Sequence, residues 1–374
     1  MWLSALIAAS PLALTNFAAV PAPQSSVLLT AEHVLLPDGS TLENGRVLIV
    51  DGKIAAVGAD LELPAQASAV ELSGWLTPGL IAGRSFAGAA QENHDQARSL
   101  LADARIVDAF RPSHSDFAKA VAAGITSLVL APSPENVAGG LTAVVKTHGG
   151  EVLSKEAHLA LSFASEALTV QRPPTSASGA VQMLSERFKA PESGPFALAA
   201  AARLPVFLAA NSRDEILRAL QFAGEWHLSG VLVGAPFAGE LAESIHKSGL
   251  GVIAGPLVSG TDGRVLEGLV ALEKHGVALA FAVDAPRFDP AALRLAAALC
   301  VRAGMSQPCA LRAMTSDAAK LAGVADRVGA LSKGLDADLA LWTGSPVDLT
   351  SQLKAVWIAG NPVAITTKNL GASK

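Results

Sequence analysis

The sequence predicts an α/β protein: a (β/α)8 TIM-like barrel with a small β-sandwich formed by the N- and C-terminal segments. Three observations lead there. Short β-rich runs broken by turns occupy both ends of the chain, apolar strands alternate with helices between them, and the alternation yields eight β segments. At 374 residues and 51% hydrophobic content, the chain can bury a core large enough for such a barrel.

Each element follows from local pattern. Between Ser26 and Glu71, the runs Val27 to Thr30, Val34 to Leu36, Gly45 to Val50 and Lys53 to Gly58 read as strands, separated by Pro37-Asp38-Gly39 and the hairpin signal Asp51-Gly52. Matching runs return at Leu339 to Trp342 and Ala355 to Ala359, so residues 26–74 and 326–366 are expected to pair, with the barrel over 75–325. Barrel strands are expected at Leu76 to Ile81, Ile125 to Leu130, Leu141 to Lys146, Leu159 to Phe163, Pro205 to Ala209, Gly230 to Val233, Gly251 to Ile253 and Val277 to Val283. Helices are expected at Ser115 to Ala123, Ala177 to Phe188, Arg213 to Ala223, Glu240 to Lys247, Leu266 to Lys274 and Ala291 to Ala303. A doubly wound sheet is the alternative, but Gly139-Gly140 lacks the rest of a phosphate-binding signature.

Composition narrows the partners. The net charge of -5, with both signs scattered, supplies no basic stripe and argues against nucleic acid. Residues 1–22 form an apolar, Ala-rich stretch without Lys or Arg, read as a secretory signal, so a periplasmic or secreted protein is expected. No later segment sustains the ~18 apolar residues of a membrane span. Cys300 and Cys309 are either a short-loop disulfide or two small buried residues.

Three stretches carry a family resemblance: Asn44-Gly45-Arg46-Val47 to Ala56-Val57-Gly58; Thr77-Pro78-Gly79-Leu80-Ile81; and Ala310 to Gly323 continuing through Arg327-Val328-Gly329 to Asp336-Ala337-Asp338-Leu339. Together they resemble the amidohydrolase superfamily, in particular imidazolonepropionase-like members, over nearly all of the chain beyond the signal. The resemblance implies a metal centre held by a histidine pair on the first barrel strand, a middle-strand lysine or glutamate, histidines on strands five and six, and an aspartate on strand eight. In such a centre the metal lowers the pKa of a bound water and polarises the scissile carbonyl. Position by position, however, the first-strand pair falls on Arg84 and Phe86, the fifth-strand histidine on Ala209, and the sixth-strand stretch Val231 to Pro236 contains no histidine. Asp284 matches the strand-eight aspartate as the catalytic candidate.

The other candidates are weighed against plainer roles. Arg84 is expected either to stand where the cation stood and pair with Asp284 or to send its head group to solvent. Lys146 matches the lysine that some members carbamylate, and His148 is placed so as to reach the barrel mouth. With Asn211 and Arg84 these two are the candidate substrate-binding residues; otherwise the histidines are surface or helix-capping groups. Asp336 and Asp338 are read as shaping a local turn. No metal ligand set remains, so no cofactor is expected, with zinc reserved for an atypical site. The function so implied is a metal-free, catalytically impaired amidohydrolase homologue, a pseudoenzyme that binds a small molecule or a homologous subunit. The alternative is a hydrolase of non-peptide C–N bonds in cyclic amides.

Overall fold

A computed structural model describes residues 26–90, 93–189, 191 and 193–365, so the expected export signal over 1–22 lies outside the described residues. Strand β1 (Ser26–Leu35) pairs antiparallel with β2 (Thr41–Val50), which pairs antiparallel with β3 (Lys53–Gly58). Asp51 and Gly52 turn between β2 and β3 with φ of 50° and 77°, the left-handed pair that an Asp-Gly hairpin supplies. On its other side β1 runs parallel to β4 (Ser68–Pro78).

The expected strand from Leu76 to Ile81 is divided at Gly79, so that β4 stays in the terminal sheet and β5 (Leu80–Ser85) opens the barrel. A Cβ at Gly79 would lie 2.0 Å from Thr126 Oγ1, so glycine is what lets the two strands meet there. Strand β6 (Ile125–Leu130) runs parallel to β5. The next two, β7 (Ala138–Leu141) and β8 (Ala143–Lys146), form one strand bent at Thr142: β8 pairs antiparallel with β6, while β7 pairs antiparallel with β10 (Leu159–Ser162). Between them, β9 (Val152–Ser154) folds back on β8. Strands β11 (Val206–Ala210), β12 (Gly230–Gly234), β13 (Gly251–Ala254) and β14 (Leu279–Phe281) then add in parallel after β10.

A parallel bridge between Arg84 and Ala282 brings the two ends of this run together, and the Val283 N–H donates to the Arg84 carbonyl at 3.0 Å. The result is TIM-barrel-like, with its third member reversed. Helices α1 (Ser115–Ala122), α2 (Ala177–Lys189), α3 (Gly194–Ala200), α4 (Arg213–Glu225), α5 (Ala242–Ser248), α6 (Gly263–Lys274), α7 (Ala292–Arg302), α8 (Gln307–Ala313) and α9 (Ser316–Leu321) complete the middle of the chain. Cys300 on α7 and Cys309 on α8 are buried free thiols.

After the barrel the chain returns to the terminal sheet. Strand β15 (Leu339–Trp342) pairs antiparallel with β4 and with β16 (Leu353–Ile358), which pairs antiparallel with β17 (Asn361–Val363). Strands from both ends thus share one seven-stranded sheet, and Leu29, Val47 and Ile54 pack with Leu331 and Leu339 beneath it. Among the described residues no helix is long and apolar enough to cross a membrane.

The barrel interior is apolar: Ile81, Val129, Val144, Phe207, Val231 and Ile253 cluster with Ala318, Ala319 and Ala322 at α9. His158, expected at the surface, is instead 1% exposed beside this cluster. Its Nε2 donates to the Leu321 carbonyl at 2.8 Å, which leaves Nδ1 to accept the Thr142 hydroxyl, also at 2.8 Å. The imidazole therefore ties the end of α9 to the bend in the reversed strand.

Burial holds His158 neutral and pulls its pKa down to about 4. In the unfolded chain it takes up a proton near pH ~6.5. Its contribution to stability is therefore complete above that pH, falls as pH drops towards 4, and is level below. In urea unfolding, the wild type is expected to lose about 2 kcal/mol more than His158→Gln on going from pH 7 to pH ~4.5. Parallel curves for the two proteins would remove His158 as the cause.

Candidate active site at the barrel mouth

Strand β5 is buried along its whole length, and its Arg84 is 9% exposed at the ring closure. Asp284 follows β14 and is 3% exposed. Arg84 donates through Nε to Asp284 Oδ1 and through Nη2 to Oδ2, both at 2.6 Å, in the bidentate geometry that a guanidinium and a carboxylate share. A further bond from Nη2 reaches the Gly255 carbonyl at 3.3 Å. Asp284 adopts φ 46°, a conformation uncommon for a residue with a side chain. Its backbone is held by hydrogen bonds to the Arg84 carbonyl (3.3 Å) and from the Arg287 N–H (2.9 Å). Of the two fates open to Arg84, pairing with Asp284 is the one the structure adopts.

Phe86, at the second position of the expected histidine pair, is buried, and the Arg84 guanidinium carbon lies 5.8 Å from its ring centroid. Ala209 on β11 and Phe207 below it line the same mouth, with Asn136 and Ser162. The cavity left between them and Arg84 measures about 10 Å³, room for roughly one water. A cavity of that size has no room for an organic substrate.

Asn136 is a polar mouth residue that sequence reasoning missed. It is 1% exposed, and its Nδ2 donates to the carbonyls of Asp95 and Arg98 at 2.8 and 2.7 Å. It lies in a loop outside any motif, so only the fold could bring it there. Asn211 ends β11 but is exposed; its side-chain amide donates to Glu166 at 2.8 Å, and its backbone N–H goes to Glu215. It belongs to the rim loops and does not line the Arg84 cavity.

The expectation that Lys146 and His148 stand at the mouth is corrected. Strand β8 is antiparallel to β6, so its C-terminal end lies at the pole where β6 begins, and the Thr147 hydroxyl donates to the Ile125 carbonyl at 2.7 Å. Lys146 is 1% exposed there. Its ammonium contacts Asp336 at 2.8 Å, Asp338 at 3.2 Å and Glu151 at 3.4 Å. Burial works to lower its pKa, but these carboxylates outweigh it and raise the value. A lysine held protonated lacks the lone pair that carbamylation needs. His148 is exposed beyond it.

Asp336 and Asp338 do more than shape a turn. Asp336 also accepts from Lys53 at 2.9 Å and Arg327 at 2.8 Å, joining the terminal sheet to the barrel floor. Burial would raise its pKa, yet the bonds from Arg327, Lys146 and Lys53 hold it below the ordinary carboxylate range. Asp338 goes the other way: burial raises it despite Lys146 and the Ala359 N–H. Its backbone carbonyl accepts the Gly79 N–H at 2.8 Å, at the junction of β4 and β5.

The sequence model of the amidohydrolase family matches residues 242–363. A 162-residue stretch is 32% identical to imidazolonepropionase of Maricaulis maris (strain MCS10) and spans 39% of this chain and 37% of that protein. An amidohydrolase from Thermotoga maritima MSB8 superposes with a TM-score of 0.82 at 24% identity, over 90% of this chain and 99% of that one. The C-terminal third of the chain thus matches the amidohydrolase family, and the fold of the whole resembles that of an amidohydrolase. More distant amidohydrolase-like folds include a zinc-bound adenosine deaminase from Xanthomonas campestris, with a TM-score of 0.52 and 17% identity over 90% of this chain and 92% of that one.

Against the metal centre that the family resemblance implies, the donor set at this mouth is poor. A catalytic zinc takes three protein donors of the nitrogen, oxygen or sulfur type. Arg84, Phe86 and Ala209 offer none, and both Asp284 oxygens are bonded to Arg84. Among the described residues no group of three His, Cys, Asp or Glu side chains is arranged to hold a metal ion. The residues present at the mouth do not fit the group.

Two stability measurements test the charge pairs. Asp284→Asn leaves a buried guanidinium without its counterion and is expected to cost about 3–5 kcal/mol in denaturant unfolding. The double replacement Arg84→Met/Asp284→Leu, which removes both charges at similar volume, should cost clearly less. Lys146→Met is expected to lose a similar ~3–5 kcal/mol, because it strands the buried Asp338 carboxylate at the floor; an unchanged unfolding midpoint would remove that network from the fold's support.

Proposed function

We propose that this amidohydrolase homologue no longer carries out metal-assisted hydrolysis at its barrel mouth and acts as a binding protein or as a partner subunit. The bidentate Arg84–Asp284 pair carries this reading: it engages both oxygens of the carboxylate at the strand-eight position, and the cavity beside Arg84 is only about 10 Å³. Asp284 then serves as a counterion, not as the acceptor of a proton from attacking water. Arg84 supplies fixed positive charge beside it, but a guanidinium offers no open coordination site at which water could be activated.

The same reading places the protein in the periplasm or outside the cell, on the strength of the apolar segment 1–22. It also takes the seven-stranded terminal sheet as a curled sandwich, supported by a shared apolar cluster drawn from both chain ends.

Zinc loading is the decisive test. Purified protein incubated with excess zinc and then desalted is expected to retain far less than one equivalent, and to leave hydantoins, imidazolones and dipeptides unhydrolysed. Stoichiometric zinc together with turnover of any of these would overturn the proposal in favour of a C–N hydrolase, the activity named for the imidazolonepropionase relative being the first to try.

A further inference from the structure

The described surface offers a larger cavity than the mouth, and it lies on the same face of the barrel. A depression of about 550 Å³ is lined by Arg98, Ser99, Leu100, Arg172, Met183 and Arg187, within the size range of small-molecule sites. It sits between the long loop after β5, the loop after β10 and helix α2. The walls are tied together: the Ser99 hydroxyl donates to the Pro173 carbonyl, and Leu100 forms a bridge with Ala138 at the start of β7. Asn136 holds residues 95 and 98 from the axial side, so the two cavities lie back to back.

Charge distinguishes this cavity. Arg172 is 8% exposed and donates through Nη1 and Nη2 to the carbonyls of Arg98 and Glu135. A guanidinium has five N–H donors, so three remain. Among the described residues no carboxylate pairs with it, and a buried cation with only carbonyl partners gains most from an anion. Arg187, exposed in the last turn of α2, also has no hydrogen bond or ion pair among the described residues. Arg98 pairs with Asp95 at 3.0 Å, and the remaining acidic side chain in the lining is Glu186. Arg172 and Arg187 set against Glu186 leave one uncompensated positive charge, beside the apolar surfaces of Leu100, Pro173 and Met183.

We infer that this rim cavity binds a small organic monocarboxylate, its head on Arg172 and Arg187 and its apolar body against Met183 and Leu100. One net positive charge suits a carboxylate better than a dianionic phosphate. The site is independent of the chemistry at the barrel axis, and holds whether or not the mouth binds metal.

Calorimetric titration of the full-length protein with 4-phenylbutyrate tests it, with 4-phenylbutyramide, phenyl phosphate and inorganic phosphate as comparison ligands. Binding of the carboxylate is expected with a Kd below about 1 mM, at least tenfold tighter than the amide and weakening as salt rises. Arg187→Ala, an exposed helical position where alanine is well tolerated, should weaken the carboxylate at least tenfold while leaving the circular dichroism spectrum unchanged. Arg187→Lys should recover part of that loss. No heat from the carboxylate on folded wild type, equal binding of the amide, or undiminished binding by Arg187→Ala would each overturn the inference. Tighter binding of either phosphate would overturn the assignment to a monocarboxylate.

Discussion

The Arg84–Asp284 pair is the contact on which the barrel mouth depends. It joins the first and last barrel strands through side chains at the point where their backbones also meet, with Val283 N–H on the Arg84 carbonyl and Phe86 N–H on that of Ala285. A buried ion pair recovers its desolvation cost only when its geometry is close to ideal. Two 2.6 Å bonds in the fork arrangement supply that geometry. The same pair limits what the mouth can do: its carboxylate oxygens are engaged, and Arg84 and Phe207 line a cavity of only about 10 Å³.

The opposite pole is organised by a second set of buried charges. Lys146 reaches it because its strand is reversed, and there the ammonium draws Asp336 and Asp338 from the returning chain together with Glu151. Lys53 and Arg327 join through Asp336, so the terminal sheet and the barrel floor share one network. His158 works beside it in neutral form, fastening α9 over the apolar interior. The two poles thus use charge differently: a single closed pair at the mouth, and at the floor a chain of pairs that links the two parts of the fold.

Much of this is legible in the sequence. The strands at Ile125–Leu130, Leu159–Ser162 and Gly251–Ala254 lie where short apolar runs place them, because a fully buried strand leaves that local signature. The Asp51-Gly52 hairpin was legible for a stronger reason: its turn demands left-handed backbone that few dipeptides accept. The direction of a strand leaves no such mark. Residues 138–146 have the same apolar run whether parallel or antiparallel to β6, and so Lys146 and His148 were expected at the wrong pole. His158 was misread likewise, since an isolated histidine shows nothing of the hydroxyl and carbonyl that satisfy it when buried.

By itself, then, the sequence determined the element types, the motifs that carry the family resemblance and the presence of Arg84, Phe86 and Ala209 where that resemblance implies histidines, because these are properties of residue identity and local spacing. Only the tertiary structure decided that Arg84 turns inward to Asp284, 200 residues away, and that Lys146 lies at the floor. It alone brings Arg98, Arg172 and Arg187 around one rim cavity. Those outcomes depend on which distant groups share a buried volume and must neutralise one another there.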